Sequence, residues 1–151
     1  MESGGADAAS VGRVKPEWAN DELRTARLAL RHPVASDLEA VLRIHQIPEA
    51  VAHNPSDAIE DRAGAGRLLQ RWIDHFYRFD PCVWGRGVAS EAASVVVEWA
   101  LARSPALPVI ARVRPDNVAS ARVAIRAGLS RVEGLDTLGE DGLDQIFVSP
   151  G

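Results

Sequence analysis

Residues 84–91 of this 151-residue chain read Trp-Gly-Arg-Gly-Val-Ala-Ser-Glu, two glycines and an arginine immediately ahead of a helical pattern. A helix N-terminus exposes amides with no intrahelical partner and carries roughly half a positive charge. Glycines ahead of it let the backbone approach an anion closely and permit positive φ. Gly85, Arg86, Gly87, Val88 and Ala89 therefore suit a phosphate cradle. The Arg86 guanidinium either adds a charge-assisted bond there or faces solvent. The same residues also suit a tight turn entering a buried helix.

Two nucleotide-binding motifs can be tested on this stretch. A P-loop requires a lysine after its last glycine, and none is here. A dinucleotide fingerprint requires a strand before G-x-G-x-x-G/A and an acid about twenty residues on. Ser90 holds the third glycine's place, "FDPC" is a poor strand, and "SPALPVIA" supplies no acid. Other side chains offer less. His32, His45, His53 and His75 lack metal-ligand spacing, so no metal is expected. Cys82 has no base beside it and is expected to be a small buried residue. Trp18, Trp72, Trp84 and Trp99 are expected to be core or anchor residues, since no basic ladder interleaves them for nucleic acid.

Composition sets the frame for this loop. The chain is 46% hydrophobic and 25% charged, which suits one globular domain with a core. Its net charge of −4 gives no global basic field, so no nucleic-acid partner is expected. The charge is uneven: Arg86, Arg103, Arg112, Arg114, Arg122, Arg126 and Arg131 outnumber the acids between residues 84 and 131, and only acids follow. That pattern fits a solvated surface or a local anion site in an acidic protein. No apolar run reaches the ~18 residues of a membrane span, so no membrane partner is expected. The first residues lack a signal peptide's basic and apolar regions. A cytoplasmic location is expected, and the single cysteine agrees with a reducing compartment.

Elements that would position the loop can be read from periodicity and caps. Residues 1–20, rich in Gly, Ala and Ser, are expected to form a mobile arm, and residues 21–151 the domain. Alternation of Leu28 and Leu30 with arginines predicts a half-buried strand over 27–31. Ser36 and Glu39 form a capping-box pattern, opening a helix that stops before Pro48. A second helix opens at Ser56 or Asp57, carrying Leu69, Trp72, Ile73 and Phe76, with Gly64 and Gly66 weakening its first half. After the loop, Val88, Ala92, Val95, Trp99 and Ala102 form one helical stripe. Residues 108–113 predict a strand. Asn117 suits the cap of a helix through Ala127, with Gly128 after its end and Leu129 as the hydrophobic contact. Residues 130–149 predict two strands joined by a turn around 139–142. The order β-α-α-loop-α-β-α-β-β is that of an α/β or α+β domain.

"WGRGVASEA" followed by a helix, a strand and "NVASARVAIRAGL" resembles the acetyl-CoA-binding core of the GNAT superfamily of N-acetyltransferases. It is most similar to the RimJ/RimL-type branch, to whose first strand and helix "LRTARLALRHPVASDLEAV" is also similar, as is "DGLDQIFVS" to its last strand. The resemblance spans about residues 23–149. It implies a mixed sheet flanked by helices and the transfer of an acetyl group from acetyl-CoA to an amine. The acceptor would be a protein N-terminus or a small molecule, attacking directly in a ternary complex. It implies that Trp84, Gly85, Arg86, Gly87, Val88, Ala89 and Ser90 form the pyrophosphate-binding loop. It also implies that Asn117 lies by the pantetheine arm and that Ser120 meets the sulfur. A plain N-cap also accounts for Asn117, and a small residue on a helix surface for Ser120.

One departure from the family bears on activity. Three strands normally separate the second helix from the phosphate loop, and the last of them forms one wall of the pantetheine slot. Here the second helix is read to end near Phe79, and only Asp80, Pro81, Cys82 and Val83 precede Trp84. A strand alone takes ~5–6 residues, so the sheet is expected to be truncated in its central strands. The family's tyrosine acid has no counterpart either, since Tyr77, the only tyrosine, lies in the earlier helix. A catalytically impaired domain that binds coenzyme A or a protein partner is the competing expectation. Exposed sheet edges would then favour a homo-oligomer.

Overall fold

The computed structural model describes residues 22–71 and 78–151. The N-terminal arm, Trp18, Trp72, Ile73, His75, Phe76 and Tyr77 lie outside these residues. The described chain opens on a small antiparallel hairpin, β1 (Leu23–Arg24) and β2 (Ala29–Leu30), with Leu23 opposite Leu30. The strand expected over 27–31 is shorter because Thr25 organises the turn between them. Its amide donates to the Leu28 carbonyl (2.9 Å), and its hydroxyl oxygen accepts from the amides of Arg27 (3.2 Å) and Leu28 (2.9 Å).

Helix α1 (Leu38–His45) follows a 3-10 turn at Ala35–Asp37. The capping box expected from Ser36 and Glu39 is not the one formed. The acid that reaches back is Asp37, whose carboxylate accepts from the Val34 amide at 2.8 Å and pairs with Arg31 at 2.8 Å and 2.9 Å. Asp37 wins because the chain turns two residues earlier, with Val34 in place of Ser36 as the cap, leaving Ser36 inside the first turn; Glu39 pairs instead with Arg62. A short helix, α2 (Pro48–Val51), starts on the proline that was read only as a stop, in the position where its missing N–H costs nothing.

Helix α3 (Arg62–Arg71) begins later than expected, because Pro55–Asp57 forms a separate 3-10 turn. Gly64 and Gly66 do not fray it. The Asp61 carboxylate accepts from the Gly64 amide at 2.7 Å, and Ala65 between the glycines is fully buried. Small residues at 64–66 let α3 lie close against α1, forming a core of Val41, Ala65 and Leu68.

The second half carries the site. After a 3-10 turn at Pro81–Val83 come α4 (Val88–Arg103), β3 (Ile110–Val113), α5 (Val118–Arg126), β4 (Ser130–Arg131), β5 (Thr137–Gly139) and β6 (Gly142–Val148). β6 is central, with β3 on one side and β4 on the other, while β5 folds back on it as a hairpin. The expected strand over 130–138 is split into β4 and β5 by a 3-10 turn at Glu133–Leu135. The end of α5 is as its residues predict. The amides of Gly128 and Leu129 donate back to Ile125 (3.0 Å) and Ala124 (3.1 Å), and Leu129 is buried.

Val97, Val113, Ala124, Leu129 and Phe147 make the core of this half. The stripe expected on α4 is only partly the buried one: Ala92 and Val97 are buried, with Leu101 packed against the core, while Ala102 is exposed. Apolar residues run almost all the way round this helix, so periodicity selects no single face. Among the described residues, no strand lies between α3 and α4, and β3 has one strand partner, β6. Among them also, no helix is long and apolar enough to cross a membrane.

Candidate functional site

The site is built where the hairpin β1–β2 meets the start of α4. Asp80 caps the 3-10 turn leading into it, accepting from the Cys82 amide at 3.0 Å and from Arg43. These bonds hold the Asp80 carboxyl down to about 2. Cys82, expected to be buried, is exposed, because the turn projects it outward. The hydrogen bond to Asp80 raises its thiol pKa, which leaves it a poor nucleophile. Trp84 is likewise no core residue. It is 51% exposed and steadied by its indole N–H, which donates to the Phe79 carbonyl at 3.0 Å.

Gly85 and Gly87 both adopt positive φ, 72° and 76°. The backbone there turns through a conformation that an L side chain enters only at a cost of ~1–2 kcal/mol, which explains both glycines. Gly87 is the N-cap of α4 and has no side chain to satisfy the helix's first amides. The Glu91 amide donates to the Gly87 carbonyl at 3.0 Å and is the first in the helix to find its partner. The amides of Val88, Ala89 and Ser90 come before it, at the positive end of a 16-residue helix. Side-chain bulk does not crowd the loop: a Cβ on Gly85 would meet open space. Arg86 is exposed at its tip.

Three residues that sequence reasoning missed hold this loop in place. The Glu91 carboxylate, in the first turn of α4, accepts from the Thr25 hydroxyl and from Arg27 Nε (2.8 Å) and Nη2 (2.5 Å). The Thr25 bond, followed by the Arg27 bonds, lowers the Glu91 pKa. Arg27 Nη1 donates to the Arg86 carbonyl at 3.1 Å. The signal available for them was the glutamate of "ASEA", present in the motif but assigned no partner.

Asn117 and Ser120 are brought together on α5. Asn117 Oδ1 accepts from the Ser120 amide at 3.0 Å, so the N-cap expected there forms. This fixes the first turn of α5 and with it the half-buried Ser120. The two parts of the site stand on helices α4 and α5, which pack against each other across Val97 and Ala124. No group of three or more His, Cys, Asp or Glu suited to a metal occurs among the described residues.

Comparison with known proteins bears on the fold and on the segment that carries the loop. A family model described as an acetyltransferase (GNAT) domain matches residues 70–130, the segment that contains the loop, α4, β3 and α5. No curated protein matches the sequence. Among solved structures, an acetyltransferase from Agrobacterium tumefaciens is similar with a TM-score of 0.70 at 20% identity, covering 93% of this chain and 100% of that one. A GNAT-family acetyltransferase from Bacillus anthracis gives 0.69 at 16% identity, covering 85% and 96%. A Vibrio cholerae protein, provisionally named a ribosomal-protein-serine acetyltransferase, gives 0.67 at 15% identity, covering 88% and 99%. The chain thus has the fold of the GNAT acetyltransferases and, over residues 70–130, matches the model of that family's domain.

Proposed function

We propose that the protein is a cytoplasmic, acetyl-CoA-dependent N-acetyltransferase of the RimJ/RimL-type branch. The observation that carries this is the loop over residues 85–87, whose two positive-φ glycines lead into an N-terminus of α4 that has no side-chain cap. The amides of Gly85, Arg86, Gly87, Val88, Ala89 and Ser90 bind the pyrophosphate of coenzyme A, with Arg86 adding a charge-assisted bond. Asn117 holds the first turn of α5 by the pantetheine arm. Ser120 supplies or relays a proton to the leaving thiolate as the amine attacks the thioester carbonyl in a ternary complex. The acceptor is a protein N-terminus or a small-molecule amine. The name of the Vibrio cholerae neighbour supports the branch and a protein acceptor.

A second reading, an impaired GNAT-like domain that binds coenzyme A or a protein partner, is favoured by one observation. Among the described residues, β3 pairs with β6 alone, and by the family resemblance its other edge would form one wall of the pantetheine slot. Thiol release from acetyl-CoA with a panel of amines, together with size-exclusion light scattering, separates the two. A monodisperse monomer turning over faster than ~1 s⁻¹ excludes the impaired reading. Binding of coenzyme A without turnover, by a protein that self-associates, excludes the enzymatic one.

A further inference from the structure

We infer that Arg27, on the hairpin before α1, is a positioning residue that fixes the direction in which the loop amides point. This rests on the reading that the loop binds the pyrophosphate of coenzyme A. The Arg86–Gly87 peptide is trans, as are all those described. In a trans peptide the C=O and the following N–H lie in one plane and point to opposite sides. By holding the Arg86 carbonyl towards the hairpin at 3.1 Å, Arg27 turns the Gly87 N–H away from the hairpin, towards the open side of the loop. The Ser90 amide, in the first turn of α4, lacks an intrahelical partner by its position, since the positive φ of Gly87 sets the preceding chain out of the helix.

Arg27 is itself held. Its Nε and Nη2 both meet one oxygen of Glu91, while the Thr25 hydroxyl meets the other. Since Glu91 belongs to the first turn of α4, hairpin, loop and helix are locked together by a single planar fork. A lysine has the charge but not the geometry to bond both partners at once. The contact is half in solvent, Arg27 being 52% and Glu91 22% exposed, so it contributes little to overall stability. Its effect falls on the loop.

The test is calorimetric titration of Arg27→Met, Arg27→Lys and wild type with coenzyme A, with steady-state kinetics in acetyl-CoA and melting curves alongside. Arg27→Met is expected to weaken coenzyme A by about tenfold or more, the effect of losing a charge-assisted bond. The KM for acetyl-CoA should rise with kcat unchanged, and Tm should hold. Arg27→Lys should recover little. Affinity within twofold of wild type in Arg27→Met, or full recovery in Arg27→Lys, overturns the proposal. Should Arg27→Met fail to fold, Glu91→Gln reads the same fork, and unchanged affinity there is equally damaging. The loop is also read without ligand, from the amide resonances of Gly85, Gly87 and Ser90. If they stay put in the Arg27 variants, the clamp is wrong even if coenzyme A binds. If they shift while wild type ignores coenzyme A, the clamp stands and the ligand reading falls.

Discussion

Replacement of Gly87 tests the cradle most directly, and the structure sets the size of the effect. Gly87 sits at φ 76°, and a Cβ there would meet Arg27 Nη2 at 3.7 Å, an ordinary contact. A side chain is therefore opposed by backbone conformation and not by a clash. Alanine costs ~1–2 kcal/mol in the left-handed region, and a β-branched valine costs more because such residues are true outliers at positive φ. Asparagine tolerates this region best among non-glycine residues. If the loop keeps its shape, the strain appears as a lower Tm, about 2–4 °C per kcal/mol for a chain of this length. If the loop relaxes by turning over its peptide planes, Tm is spared and the amides no longer converge. Coenzyme A affinity then falls by about 5–30-fold for alanine. Valine should abolish binding. Calorimetric titration together with melting curves reads both routes, with affinities expected in the order Gly, Asn, Ala, Val. Equal affinity of Gly87→Val and wild type at unchanged Tm would mean the loop is only a turn.

Ser120→Ala should lower kcat and leave coenzyme A affinity nearly intact, and equal kcat would return Ser120 to a plain helix-surface residue. Asn117→Ala removes the cap on the Ser120 amide and should cost ~1 kcal/mol of stability, read as a Tm drop of a few degrees; Asn117→Ser should restore most of it. Acid unfolding should respond to Asp37 and Asp80. Both carboxyls are held down to about 2 from 3.8, Asp37 first by Arg31 and then by the Val34 amide, Asp80 first by the Cys82 amide and then by Arg43. A depressed folded pKa means stability that is present above pH 3.8 and lost as pH falls towards 2. Denaturant titrations across that window should show a shallower decline in the Asp37→Asn, Asp80→Asn double variant than in wild type.

Local signals with a single physical solution were legible in the sequence. Asn117 with Gly128 and Leu129 defined α5 at both ends, because a cap, a terminator and its hydrophobic contact each admit few alternatives. Gly85 and Gly87 marked the loop for the same reason. What could not be read were choices between near-equals. Asp37 and Glu39 both stand where an acid can reach back to an amide, and only the path of the chain from β2 decides. The buried face of α4 is not the expected stripe because apolar residues run almost all the way round the helix. Arg27 and Glu91, 64 residues apart, carry no local periodicity at all, since their meeting depends on where the hairpin docks. Exposure of Cys82 and Trp84 follows from the 3-10 turn at Pro81–Val83, too short to leave a pattern.

The position of the Arg27 fork says something about how the molecule is held together. Its described core is divided: Val41, Ala65 and Leu68 in the first half, Val97, Val113, Ala124, Leu129 and Phe147 in the second. Among the described residues, several polar bonds join the halves. Arg27 and Thr25 reach Glu91, Arg43 reaches Asp80, and the Ser56 hydroxyl donates to Asp141 at 2.6 Å. Arg114 in turn braces the Asp141 and Leu143 carbonyls. Strands between α3 and α4 would carry apolar side chains across such a seam, and none is present among the described residues. Exposed ion pairs weaken as salt rises, whereas buried apolar contacts do not. These bonds are therefore more sensitive to ionic strength than either core. The loop over residues 85–87 lies on that seam, with Arg27 on one side and α4 on the other. A bound pyrophosphate would stabilise a loop conformation that only the docked hairpin supports. Binding and docking are then linked, each strengthening the other by the same free energy. Salt should accordingly weaken coenzyme A affinity by more than screening of the ligand's own charges accounts for, and Arg27→Met should remove that excess.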